Sequence, residues 1–312
     1  MQEYALTGLT AEAGEDDFAT GWWFEPFGLD AQAVMQLVPE ALERAQLVTL
    51  KTPREKQAER PLPPGEPHGM LLAWPGAGGG LAMLVVPDGE RWNLTGFWPF
   101  LTGLSEHDAE IEQVTLAPDR LQAMVTARIG GELILTYHEV LFAARRGLYV
   151  KGVDHGLVLA GVAHSFRRAD AAPILIGPDA PAFAALSKGG TAVGKDGNIT
   201  IQTRGMAAIF PCSDIAPHAA EFRGPVISVR KNLTDILGQP VWLVRVTVAR
   251  VGEDHWTDIH LDIAVSATVL DGRPLPAVGD DIEGFILLQG SIWMPAINRP
   301  APDPVRPPAP AD

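Results

Sequence analysis

Near the C-terminus, three side chains capable of ligand or acid–base chemistry recur at every second position: Asp258, His260 and Asp262. Carboxylate oxygens and an imidazole nitrogen make a donor set that suits Zn²⁺ or Mn²⁺, and His255 lies nearby in sequence. In an extended chain all three project from one face. Their Cβ atoms then stand about 7 Å apart, too wide for three successive positions to close on one ion unaided. The same alternation is what a strand with one wet face requires. Asp258, His260 and Asp262 are therefore the candidate metal ligands, weighed against a solvated strand edge.

Other motifs fail on context. Residues 189–196 match the phosphate-binding G-x-x-x-x-G-K pattern until Asp196, which stands where Ser or Thr would hold Mg²⁺. A phosphate loop also opens a helix, whereas Asn198, Ile199, Thr200 and Ile201 read as a strand. Gly194, Lys195, Asp196 and Gly197 are expected to form a hairpin turn. Ser187 sits in a loose relative of the serine nucleophile elbow, but Gly189 and Gly190 make a poor helix start. Cys212 is the one cysteine; it excludes an intramolecular disulfide and reads as a small buried hydrophobe. His138–Glu139 and Asp154–His155 are acid/base-capable pairs, yet strand neighbours point to opposite faces. No catalytic residue and no cofactor is assigned.

The elements around these residues are mostly strands. Val241, Leu243, Arg245, Thr247 and Ala249 share one face of an extended run, and Trp242, Val244, Val246, Val248 and Arg250 the other. Both faces are largely apolar, which predicts a central strand. In the next run Ile259, Leu261, Ile263 and Val265 oppose the Asp258, His260 and Asp262 face. Residues 252–255 supply the turn between them. A first strand is expected over 224–230, and one or two more over 282–293, with Gly284 and Gly290 at bulges or corners. About five strands in roughly 70 residues suit a small Greek-key barrel of the OB type.

The Val278, Gly279, Asp280 … Ile282, Gly284 spacing resembles the late strands of OB-like barrels. Residues 276–293, taken with Tyr149, Gly152, Leu159 and Gly161, are similar to bacterial proteins that carry a terminal OB-like barrel. That resemblance implies a fold and carries no active residue.

Upstream, the start is acidic, and Trp22, Trp23, Phe24 and Phe27 form a cluster expected to pack under a following helix. Asp30 is a good N-cap for a helix over 31–38. Pro39 is expected to end or kink it, or to begin a second helix over 40–46. Residues 51–68 read as a long proline-rich surface loop. Residues 70–74 and 81–86 form a hairpin pattern, and Trp92, Phe97, Trp98 and Phe100 have the irregular spacing of a packed loop. Residues 121–129 and 132–140 flank Gly130 and Gly131, a favoured hairpin connection. For 157–166, periodicity leaves strand and helix open. Residues 298–312 hold six prolines and are expected to be a disordered tail. No internal repeat is evident. The expectation is an α+β, β-rich chain: a mixed domain over 1–215, with a sub-boundary near 110–118, then an OB-like barrel over 219–296.

The 312 residues carry a net charge of −14 and 46% hydrophobic side chains, an ordinary globular composition. The N-terminus lacks the pattern of a secretory signal, and no apolar run approaches the ~20 residues that span a bilayer. A cytoplasmic protein without membrane contact is expected. An OB-type nucleic-acid binder needs a basic groove, but residues 221–293 hold six basic against ten acidic side chains. Nucleic acid is thus disfavoured. The expected function is a non-enzymatic binding or interaction protein with a protein partner or a second copy of itself. The alternative is a metal-dependent or hydrolytic enzyme with its site in the Trp-rich N-terminal domain.

Overall fold

Alternating apolar and polar side chains dominate the chain, and strands result. The structure is a computed structural model that describes residues 10–12, 21–49, 56, 59, 62, 64–74, 79–101, 105–149, 154–181, 183–188, 192–237, 239–252 and 256–294. Outside them lie most of the acidic start, most of the 51–68 loop, the 75–78 turn, His255 and the 298–312 tail. In chain order the elements begin with β1 (Thr10–Glu12), α1 (Ala31–Arg44), β2 (Gln46–Leu47), β3 (Met70–Trp74), β4 (Gly79–Asp88) and β5 (Arg91–Leu101). Next come β6 (Ser105–Leu116), β7 (Ala123–Ile129), β8 (Leu133–Glu139), α2 (Phe142–Arg145) and β9 (Asp154–Arg168). The excursion β10 (Ile174–Ile176), α3 (Phe183–Lys188), β11 (Ile199–Ile201) and β12 (Ala208–Pro211) follows. The chain then forms β13 (Ala219–Ile236), β14 (Gln239–Val251), β15 (Thr257–Ser266), α4 (Ala267–Leu270) and β16 (Asp281–Met294).

The protein is β-rich. Its ten-stranded sheet closes on itself twice. One circuit runs β6–β7–β8–β16–β9 and back to β6. The other runs β13–β14–β15–β9–β16 and back to β13. Closure removes the open edges that a flat sheet would leave. The two circuits share β9 and β16, which lie antiparallel along their whole length, from Ile282 opposite Arg168 to Met294 opposite Gly156. Each circuit is built from the same sequence of elements: three antiparallel strands, a one-turn helix, then a long strand. The long strand of each half closes the circuit of the other by a short parallel pairing, β8 with β16 and β15 with β9. The chain therefore contains a structural repeat that its residues do not show. Residues 219–294 supply only four strands of their circuit. The fifth is β9, from the far side of the 216–218 boundary expected from sequence.

The pairings rest on close backbone approach. A Cβ on Gly284 would lie 2.1 Å from the Ser165 carbonyl oxygen across the shared β9–β16 pair, so only glycine fits there. A bulge follows between Phe285 and Ile286. At the β7–β8 hairpin, Gly130 and Gly131 adopt φ of 58° and 81°, values that glycine reaches without strain, and the Glu132 amide closes the turn onto Ile129.

Two hydrophobic cores divide the alternating faces. Val244, Val246 and Val248 of β14 and Ile259, Leu261 and Ile263 of β15 fill one core, together with β6–β8 side chains such as Ile111, Val125 and Tyr137. Val241 and Leu243 point instead into a second core under the N-terminal layer. That layer is the four-stranded sheet β2–β3–β4–β5 with α1. Asp30 caps α1 by accepting the Ala33 amide at 2.7 Å, as expected. The helix runs through Pro39 and does not end there, with Val34, Val38 and Ala41 anchoring one face in the core on both sides of it. Trp92, Phe97, Trp98 and Phe100 belong to strand β5, not to a loop. Among the described residues no helix is long and apolar enough to cross a membrane.

Candidate functional site

Because β9 is longer than either neighbour, one of its edges changes partner midway. Residues Asp154 to Leu159 pair with β6, and Ala160 to Val162 pair with β15. Beyond that point β6 and β15 splay apart and leave a fork. A cleft of about 670 Å³ opens there, lined by Ser105, His107 and Asp108 of β6 and by Thr257, Asp258 and His260 of β15. Glu106, Ile129, Gly130, Arg230, Arg245 and Ile259 complete its walls. At the base, Ser105 Oγ donates to Asp262 Oδ2 at 3.0 Å, and Arg245 grips both Asp262 oxygens through Nε and Nη2 at 3.1 and 2.8 Å. A two-pronged guanidinium–carboxylate pair is the geometry that satisfies a buried carboxylate.

His107 is the unusual member. Its ring lies against the His260 main chain, and Nε2 is buried with no hydrogen-bond partner. Burial lowers the pKa from 6.5 to about 4, opposed by the adjoining His260 main chain and assisted by the neighbouring His260 and Arg245 side chains. At neutral pH the ring is uncharged. Its Nε2 is enclosed by protein, with no solvent-accessible face. Leaving such an atom buried and unpaired costs about 1–3 kcal/mol.

The three candidate ligands from sequence lie on this wall, each tied separately. Asp258 pairs with Arg250 at 3.1 Å near the surface. His260 Nδ1 lies 3.1 Å from Thr247 Oγ1. Asp262 is 1% exposed, which corrects the expectation of one wet face: the strand descends from solvent at Asp258 into the fork at Asp262. Among the described residues no group of three His, Cys, Asp or Glu side chains is placed to hold a metal. Gly194 to Gly197 form the expected turn, closed by the Gly194 amide on Asn198 O and by Asp196 on the Asn198 amide. Ser187 lies in α3 and donates to Ala184 O. Asp154 is exposed and His155 is 1% exposed, so that pair diverges as strand neighbours do.

The edge of β16 forks in the same way. Asp281 to Leu287 pair with β13, and Gln289 and Gly290 pair with β8. This second fork is covered by the N-terminal layer. The Trp23 ring stacks on His218, just ahead of β13, at 4.9 Å and 18°, and lies 5.5 Å from His138 of β8. Trp98 of β5 meets His138 edge-on at 5.0 Å and donates its indole N–H to Val140 O. Gln289 accepts the Leu101 amide at 2.7 Å, latching β5 onto the shared strand. Burial, reinforced by neighbouring imidazoles, lowers both His138 and His218 to about 3. Burial also lowers His164, which lies 4.0 Å from Glu25, to about 4. Neither ring nitrogen of His218 has a hydrogen-bond partner. Next to His138 on β8, Glu139 faces the other core and accepts the Tyr149 hydroxyl; burial raises it to about 7.

Sequence reasoning passed over His107 and His218, because neither sits in a motif. The only signal was an ionisable side chain within an alternating run. A separate cavity of about 220 Å³ is lined in part by Arg167, Arg168 and Arg273. Those cations are engaged by Glu283, by Asp280 and by the Leu270 and Val269 carbonyls. No protein-family model, curated protein or solved structure matches the chain.

Proposed function

We propose that this is a non-enzymatic binding protein whose ligand site is the open fork between β6 and β15. The observation that supports it is the cleft of about 670 Å³ into which both arms of the fork bring polar side chains, His107 and Asp108 from β6 and Asp258 and His260 from β15. The volume of this cleft is within the usual range of ligand sites. The ligand belongs to a protein partner, and the surrounding barrels act as rigid OB-like frames. Binding fits the site better than hydrolysis. The hydroxyl at hand, Ser105, donates to a carboxylate already neutralised by Arg245, so no imidazole is positioned to activate it.

The test is a thermal-shift screen of polar metabolites and peptides, repeated on His107→Leu. Ligands of this site raise Tm in the parent and fail to do so in the variant. Hits that stabilise both proteins equally would refute the assignment.

A further inference from the structure

Strands β12, β13, β16 and β9 lie antiparallel side by side, and directly facing residues put their side chains on the same side of such a sheet. Phe166, Phe222 and Ile282 point into the first core, so the alternate residues face away from it. The register arranges those residues in rows. One row is Phe210, Glu221, Phe285 and Ser165; the next, two residues along each strand, is Ala208, Arg223, Glu283 and Arg167. All of these but Ala208 line a cleft of about 550 Å³, together with Ile174 and Met206 of the excursion. Charge does not cancel within either row. Glu283 binds Arg167 at 2.7 Å and Arg223 at 3.4 Å, so one carboxylate serves two guanidiniums and a positive charge is left over. In the neighbouring row, Glu221 has no ionic or hydrogen-bonding partner among the described residues, which leaves a negative one. Arg273, also in the lining, is held by the Leu270 and Val269 carbonyls at the end of α4. The opposite surpluses therefore stand one row apart, about 7 Å along the strands. Beside them the cleft leaves large apolar side chains uncovered, with Phe210 56% and Ile174 46% exposed. Apolar surface left open beside unpaired charge is the mark of a binding site.

We infer that this cleft, separate from the open fork between β6 and β15, is a second ligand site, and that it takes a free α-amino acid with a large apolar side chain. Such a molecule carries an ammonium and a carboxylate on neighbouring atoms. It answers both surpluses at once, with the ammonium over Glu221 and the carboxylate toward Arg167 and Arg223. Its side chain covers the Phe210 ring and Ile174, where an aromatic or branched group gains contact with the exposed phenyl face. A simple organic cation would meet the surplus of the arginine row, and a simple anion would meet Glu221. An uncharged apolar molecule would shield both surpluses from water without pairing either.

Calorimetric titration of the full chain at low ionic strength, where exposed charges are least screened, is the test. The probes are L-phenylalanine, phenethylamine, which lacks the carboxylate, 3-phenylpropionate, which lacks the ammonium, and uncharged N-acetylphenylalaninamide. Phenylalanine is expected to bind saturably. Each singly charged analogue should bind about 2- to 5-fold more weakly, the worth of one charge pair open to water, and the uncharged one more weakly still. Glu221→Gln changes an exposed side chain and is expected to fold as the parent does, which circular dichroism checks. It should weaken phenylalanine by the same factor and not weaken 3-phenylpropionate, which has no ammonium to lose. That contrast ties the ligand's ammonium to Glu221, and comparison of the probes on the unaltered protein stands without any variant. Equal affinity for N-acetylphenylalaninamide and phenylalanine would overturn the inference. So would equal phenylalanine affinity in parent and Glu221→Gln, or no saturable binding of phenylalanine at all.

Discussion

Replacing His218 with Phe tests whether the covered fork is held together by neutral imidazoles. The His218 pKa is lowered from 6.5 to about 3 by burial first and by the nearby His164 charge second. A folded pKa below the unfolded one means that the unfolded chain binds the proton first. The stability contributed is therefore complete above pH 6.5 and is lost as pH falls toward 3. At pH 5 the unfolded ring is protonated and the folded ring is not, so His218 costs about 1.5 × 1.36, or roughly 2 kcal/mol, relative to pH 7.5. That figure does not change if the folded value is 3 or 4. His138 acts in the same direction. Glu139 acts in the opposite one: its raised folded pKa of about 7 destabilises the protein at high pH and is relieved as pH falls toward 4.5. Only the difference between parent and variant isolates His218. Urea unfolding at pH 7.5 and 5.0 gives that difference, with matched m-values confirming that the same surface is exposed. His218→Phe keeps the ring on Trp23 and removes two unpaired nitrogens, so at pH 7.5 it is expected within about 1 kcal/mol of the parent. Its loss on going to pH 5.0 should be smaller by roughly 2 kcal/mol. An unchanged pH dependence would refute the reasoning. So would a loss above about 3 kcal/mol at pH 7.5, which would mean that the imidazole nitrogens are held by a partner.

Asp262→Ala leaves Arg245 without its carboxylate at the base of the open fork and is expected to cost about 3–5 kcal/mol. Asp258→Ala, which breaks a half-exposed pair with Arg250, should stay within about 1 kcal/mol; equal costs in urea would contradict the burial gradient along β15. Gly284→Ala drives a Cβ into the Ser165 carbonyl of the shared strand pair. It is expected to lower Tm by more than about 10 °C, where a tolerated alanine would show the β9–β16 pairing to be looser. Lys195→Ala lies in an exposed turn and should be neutral in Tm, with ATP stabilising neither protein; saturable nucleotide binding lost in the variant would overturn the turn assignment.

Local features of this chain are legible from residues alone. Period-two alternation gives β14 and β15 and assigns their faces, Gly130–Gly131 gives the hairpin, and Asp30 gives the start of α1, because each depends on neighbours a few positions away. The Asp258, His260 and Asp262 wall was visible in the same way, though not its descent from solvent to a buried ion pair. What the sequence left undecided was which strands become neighbours. Residues 157–166 read equally as strand or helix, yet as β9 they join both circuits. Alternation states that a strand has two faces; it does not name the strand at either edge, which is settled by backbone pairing between distant segments. The repeat escaped notice for the same reason, since it lies in the order and pairing of elements while the residues differ. His107 meets His260, and Trp23 meets His138 and His218, only because tertiary pairing makes β9 and β16 change partners midway and leaves a fork at each change.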